Sequence, residues 1–249
     1  MATIPAKPMS LLVPVAPRVS AMDTIGVKAA TPSATRFEAA RRLDWRFLLP
    51  EPNLGSVLYY GPAHAPLVEA LRAFSRQVTL FDPAHQRGPL TAHFDLIVAR
   101  TPNFEALQNI FQLLRPGGNL YIEAIRAWGF RRRSSPSGHT VRKSGRVLRS
   151  ARNYAAACRE LGFAEVVPHW HWPDLENCLE IVPLEDSAAL DCALARRNRS
   201  WTAQVRRALV EQLVRRGLWA HFAPAFSVVA SRPKHGLNPP AILDADHVA

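Results

Sequence analysis

The sequence predicts an α/β fold, a mostly parallel sheet with flanking helices that is shortened at the edge after the second strand. Three observations lead there. Short apolar runs alternate with stretches of helical periodicity, the pattern of a parallel sheet joined by right-handed crossovers. Turn and polar residues (Gly61, Asp82, Thr101 and Glu123) fall at or just beyond the carboxyl ends of those runs, where such sheets bind ligands. And the space between the second and third runs is too short for the helix and strand that would ordinarily fill it.

The elements follow in order. Phe37, Ala40, Leu43 and Phe47 stand at helical spacing, and Pro50 and Pro52 end that helix. SVLYYG, residues 56–61, is a buried strand reaching a glycine turn. Leu67, Val68, Leu71 and Phe74 line one face of a helix. QVTLFD (77–82) and FDLIVA (94–99) are the next two strands. Leu107, Ile110, Phe111 and Leu114 mark a further helix, stopped by Pro116-Gly117-Gly118, and NLYIEA (119–124) is the fourth strand. A helix over Ala151 to Leu161 precedes the strand GFAEVVPHW, followed by the apolar run CLEIVPL (178–184). Residues 190–216 read as helical and AFSVVAS (225–231) as a closing, antiparallel strand.

The chain has 249 residues, room for one such domain with appendages, and its hydrophobic fraction of 48% is ordinary for a globular protein. Residues 1–34 and 233–249 are rich in Pro, Ala and small polar residues and are expected to be flexible tails around a body of 35–232. No apolar stretch is long enough for a membrane span, and the N-terminal segment lacks the order of a signal peptide. Cys158, Cys178 and Cys192 form no metal or disulfide spacing, so each is expected to be a small buried apolar residue in a reducing cytoplasm. The formal charge of +11 favours anionic partners, though abundant Arg and Ala also suit a GC-rich genome.

Strand, glycine turn, helix, strand, aspartate is the start of a nucleotide-binding unit. LLRPGGNLYIEA then resembles the helix–turn–fifth-strand segment of class I S-adenosylmethionine (SAM) dependent methyltransferases, which are Rossmann-like. FDLIVA resembles their fourth strand, and RNYAAACRELGFAEV the helix that leads into their sixth. The resemblance covers residues 56–167 and, more weakly, 225–231. It implies SAM as cofactor, held at Gly61, His64, Asp82 and Thr101. Asp82 would accept hydrogen bonds from both ribose hydroxyls; its alternative is a turn or cap role before Pro83.

The sequence departs from the family in two places. In YYGPAHAP (59–66) a single glycine remains, a tyrosine stands where an acid is expected, and Pro62 and Pro66 remove two backbone donors. The crossover PAHQRGPLTAH implies that the edge strand supplying the adenine pocket is lost, leaving the site open, dead or completed by a protein partner. Thr101-Pro102-Asn103 partly matches a substrate motif of some N-methyltransferases, which makes Asn103 a catalytic candidate beside Glu123; the alternative is a helix start through Thr101. His169 and His171 share one strand face opposite Trp170 and Trp172, and a structural role is expected there, with no metal site.

Residues 126–153 carry nine basic and no acidic side chains, and Arg131, Arg132, Arg133, Arg142 and Lys143 are the candidate anion ligands. A solvated loop is the alternative. The stripe Trp201, Val205, Ala208, Leu209 and Leu213 reads as a helix covering the sheet, with attachment to an anionic membrane surface (the inner membrane of a bacterium) as its alternative. The sequence therefore points to a cytoplasmic, bacterial, methyltransferase-like protein acting on an anionic acceptor, phosphorylated, nucleotide-linked or lipid-linked. RNA ranks below these because no RNA-binding motif is present. The rival is a catalytically inactive scaffold or anion-binding subunit of the same fold, a pseudoenzyme.

Overall fold

A computed structural model describes residues 32–86, 90, 92–126, 146, 148–196, 208 and 210–234, with the side chains of 32–36 excepted. All of these lie in the unit Pro32–Ala249. The candidate anion ligands Arg131, Arg132, Arg133, Arg142 and Lys143 fall outside the described residues, as do Trp201, Val205 and Leu209 of the C-terminal stripe and both terminal tails.

Seven strands form one sheet: β1 (Ser56–Tyr60), β2 (Gln77–Phe81), β3 (Phe94–Arg100), β4 (Leu114–Ile125), β5 (Ala164–Trp172), β6 (Glu180–Pro183) and β7 (Ala225–Ser231). Their order is β2-β1-β3-β4-β7-β5-β6. β2, β1, β3 and β4 pair in parallel, while β7 runs antiparallel to both β4 and β5, and β6 antiparallel to β5. All the strands expected from the sequence thus share one sheet in the expected directions. CLEIVPL contributes an additional antiparallel strand at the far edge.

Alternation along the strands splits the core into two layers. Leu58, Ile97, Leu120, Ile122 and Val228 face α3 (Phe104–Leu113) and α4 (Ala151–Glu160), which contribute Leu107, Ile110, Tyr154 and Cys158. Val57, Tyr59, Leu96, Val98 and Tyr121 face the other way, toward α2 (Ala65–Phe74) and the 3-10 turn Asp44–Leu48. Leu67, Val68 and Leu71 of α2 are buried there as their spacing predicts. α5 (Ser187–Ala195) and α6 (Trp219–Phe222) complete the first layer with Leu190, Leu194 and Trp219.

Four local expectations are corrected. The first helix, α1 (Pro32–Arg42), stops before Leu43 and gives way to the 3-10 turn, so Leu43 of the expected stripe is buried but Phe37 and Phe47 do not pack. Those two side chains are 72% and 66% exposed, and Trp45 takes the inward place. Its ring stacks on Tyr121 at 3.8 Å between centroids and 9° between planes, worth about 1 kcal/mol beyond the area it buries. Second, Pro116-Gly117-Gly118 is no separate turn. β4 begins at Leu114 and carries these residues as an irregularity between the pairs Phe94–Leu114 and Leu96–Asn119. A Cβ at Gly118 would lie 3.0 Å from the Phe94 carbonyl oxygen, so glycine lets the two strands close. Third, the helical stretch 190–216 is broken: α5 ends at Ala195 and residues 210–215 are helical again, with 197–207 and 209 outside the described residues. Fourth, of the three cysteines only Cys158 is fully buried; Cys178 is half-buried and Cys192 exposed.

Between Asp82 and Phe94 the chain makes a turn at Pro83–His85, and the described residues there form neither helix nor strand. β2 is consequently the edge of the sheet.

Candidate functional site at the carboxyl ends of the strands

Because β1 lies between β2 and β3, the residues that end these strands meet at one edge. From β1 the chain passes to β2 on one side and later to β3 on the other, so the reversal of strand order falls at this point. Gly61 follows β1 with φ +137°, a conformation that side chains rarely adopt, and its N–H donates to the Phe81 carbonyl at 2.9 Å. A Cβ at Gly61 would come 3.4 Å from the Cβ and carbonyl oxygen of Arg100, so glycine keeps the floor between β1 and β3 open. The Tyr59 hydroxyl, buried beneath, donates to the Pro62 carbonyl at 2.9 Å and pins the turn.

Asp82 ends β2 with its carboxylate already engaged locally. Oδ1 accepts from Ala84 N at 2.9 Å and Oδ2 lies 2.9 Å from His85 Nδ1. The hydrogen bond from Ala84, then the contact with His85, outweigh partial burial and hold this carboxyl below its usual range. Each oxygen retains a lone pair for a further donor.

Thr101, just past β3, has φ +46°. For a β-branched residue this costs about 1–3 kcal/mol. Its N–H donates to the Glu123 carbonyl at 2.9 Å, which fixes it to the end of β4. The helix start lies two residues later than Thr101, because Asn103 is the N-cap of α3: its side chain accepts from Ala106 N at 2.8 Å.

Glu123 is buried, 1% exposed, and paired with Arg42 at the end of α1. Arg42 Nη2 donates to Oε2 at 2.8 Å, and Nη1 lies 2.8 Å from Oε1. Burial opposes the charge on Arg42, but the field and hydrogen bond of Glu123, with Tyr121 and Glu176, outweigh it and raise the arginine's pKa. A desolvated pair of this kind holds the carboxylate in place.

On the same sheet face Ser227, paired in register with Glu123, lies 2.8 Å from His171 Nε2, and Cys178 Sγ lies 3.4 Å from His171 Nδ1. Burial, then neighbouring charge, push His171 down to about 3; burial pushes His169 down to about 4, against smaller opposing contributions. Both imidazoles are therefore neutral parts of the core at physiological pH. Trp170 and Trp172 pack in the opposite layer, as alternation requires. Among the described residues no group of three or more His, Cys, Asp or Glu gathers as a metal site.

His64 stands at the N-cap position of α2 without a side-chain capping bond, and its Nε2 is 3.1 Å from Glu176, in the loop after β5. That loop thus reaches back from the far side of the sheet to the turn after β1. The structure brings Gly61, Asp82 and Thr101 onto three adjacent strand ends. It sets Glu123 beneath them in an ion pair, Asn103 in a cap, and His64 against Glu176. Arg42, Glu176 and Ser227 were not singled out by sequence reasoning. Arg42 left one trace, an arginine directly before Leu43 on an inward face.

Parallel β2-β1-β3-β4 and the antiparallel β7 slotted before β5 agree with the fold that the family resemblance implies. The fold is class I methyltransferase-like. No protein-family model matches the chain, and no curated protein does. Among solved structures it is similar to phosphoethanolamine N-methyltransferase 2 of Haemonchus contortus, with 14% identity over 80% of this chain and a TM-score of 0.42. It is also similar to a SAM-dependent methyltransferase from Archaeoglobus fulgidus, at 11% identity over 79% of this chain and 94% of that one, TM-score 0.42. A third is the [4+2]-cyclase SpnF, at 14% identity over 84% of each chain, TM-score 0.37. The chain spans 59% and 52% of the length of the two Haemonchus structures it matches. Among the described residues no helix is long and apolar enough to cross a membrane.

Proposed function

We propose that this protein binds SAM at the ends of β1, β2 and β3 and methylates an anionic acceptor. The observation that carries the reading is the convergence of Gly61, Asp82 and Thr101 at the reversal of strand order. The residues fit the cofactor in part. Gly61 provides a backbone that a ligand can approach closely, and the free lone pairs of Asp82 suit a pair of ribose hydroxyls. Bound SAM would supply an electrophilic methyl group on a sulfonium. The protein's share is orientation and exclusion of water, since a good nucleophile needs little acid–base help. In this reading Glu123, locked to Arg42, positions the strand end, and Asn103 sets the start of α3. His64 would contact the cofactor with its Nε2 only by leaving Glu176. The acceptor's charge would be met by Arg131, Arg132, Arg133, Arg142 and Lys143, which follow β4 in the sequence.

A second reading has its own support. With Pro62 and Pro66 at the turn, Asp82 tied to Ala84 and His85, and no strand described beyond β2, the fold also suits a non-catalytic anion-binding subunit or scaffold. Titration calorimetry of the full chain with SAM and S-adenosylhomocysteine separates the two. Saturable binding of both supports the enzyme reading; heat-silent titrations of both, with the fold intact, would leave the scaffold.

A further inference from the structure

We propose that the cleft between α1 and α2 is a binding site for a small zwitterion, an amino acid or betaine, distinct from the strand-end site. The cleft encloses about 560 Å³, within the range of small-molecule sites. Glu38, Arg41 and Arg42 of α1 form one wall; Pro66, Glu69, Ala70 and Ala73 of α2 form the other. His64, Glu176 and Asn177 close one end. Alanines at 39, 70 and 73 keep the two helices from filling the space themselves. Of the strand-end candidates His64 alone lines it; Gly61, Asp82 and Thr101 do not.

The charges in the cleft are left over from the fold. Arg42 sits four residues after Glu38, the spacing of a helical ion pair, but its guanidinium is turned inward to Glu123. Glu38 is left without that partner. Arg41 and Glu69, both exposed, have no ion-pair partner among the described residues. Two of the lining residues carry a buried, unpartnered nitrogen: Arg42 Nε, on a side chain only 8% exposed, and His64 Nδ1. The Arg42 Nε–H is a donor left without an acceptor.

The two signs alternate with the helix. Glu38 lies one turn, about 5.4 Å along the axis, from Arg41 and Arg42. A carboxylate would be met by Arg41, and an ammonium by Glu38 and Glu69. A purely anionic ligand would face those two carboxylates unpaired, and a purely cationic one would face Arg41. A molecule carrying both charges within a few bonds satisfies the walls together.

The test uses the full chain and isothermal titration with L-methionine and glycine betaine, with acetate and ethylamine as their single-charge halves. Either zwitterion should bind saturably, and the halves about tenfold or more weakly, about 1.4 kcal/mol. Arg41→Gln and Glu69→Gln change exposed side chains, so melting temperature should hold while zwitterion affinity falls about tenfold. Asp82→Ala should bind the zwitterion as the parent does, whether or not SAM binds. Absence of saturable binding by both zwitterions would overturn the proposal. So would binding that both glutamine variants leave unchanged, for the ligand would then sit elsewhere.

Discussion

Acidification from pH 7 to pH 5 should remove about 4 kcal/mol of folding stability through two histidines alone. His169 and His171 are 6% and 2% exposed, and burial holds them at about 4 and about 3. In the unfolded chain both return to about 6.5. Below that value the unfolded state binds protons that the folded state refuses, so stability falls as pH falls. At pH 5 each unfolded imidazole is almost fully protonated and each folded one almost fully neutral. At about 1.36 kcal/mol per pH unit, each histidine then costs about 2 kcal/mol between pH 7 and pH 5. Asp82 and Asp174, whose folded values are depressed by backbone hydrogen bonds from Ala84 and Asn177, release their share only below the usual carboxyl range. They do not contribute in this window. The assay is urea unfolding at pH 7.0 and 5.0 for the parent and for His169→Asn and His171→Gln. The glutamine keeps a nitrogen donor near Ser227. Each variant will be less stable at pH 7 through lost packing, but its drop from pH 7 to 5 should shrink by about 2 kcal/mol. A drop that both variants share in full with the parent would refute the assignment.

Breaking the buried pair should be costly: Glu123→Ala strands Arg42 in the core and should lose about 3–5 kcal/mol in urea unfolding, while the double variant Arg42→Met, Glu123→Leu recovers most of it. Thr101→Gly should raise stability by about 1 kcal/mol, because glycine tolerates the positive φ that threonine endures there; a loss would place the cost elsewhere. If SAM binds, Asp82→Ala should weaken it by about 1–3 kcal/mol in calorimetry, and undiminished binding removes Asp82 from the site. Replacing Arg131, Arg132 and Arg133 with serine should reduce salt-sensitive binding of phosphorylated ligands, RNA or acidic vesicles with melting temperature unchanged; equal binding across all three makes the loop a bystander.

The sheet was legible because its signals are local. Apolar runs of β1 to β3 and β7 carry their own boundaries, and the short crossover can be counted directly. Gly61 and Asp82 were legible as strand ends for the same reason. What the sequence hid depends on distance along the chain. Arg42 and Glu123 are 81 residues apart and His64 and Glu176 are 112 apart, so no spacing announces either contact. The stripe through Phe37 and Phe47 misled because helical periodicity assumes an unbroken helix. The 3-10 turn after Leu43 changes the rotation of the chain and substitutes Trp45 for Phe47. Thr101 suggested a cap by residue type, whereas Asn103 fills that role and leaves Thr101 to the strained link with β4.

Asp82 stands at the tip of β2, which among the described residues pairs with β1 alone. A strand at the margin of a sheet opens more readily than one in the middle, so its amides exchange with solvent sooner. Whatever binds at Asp82 would therefore hold down the margin as well as itself. A ligand there would register first as slowed deuterium uptake over residues 77–81, even where it touches none of their side chains. Tightness of binding and the opening of that margin become one quantity: each added increment of affinity must appear as added protection of β2.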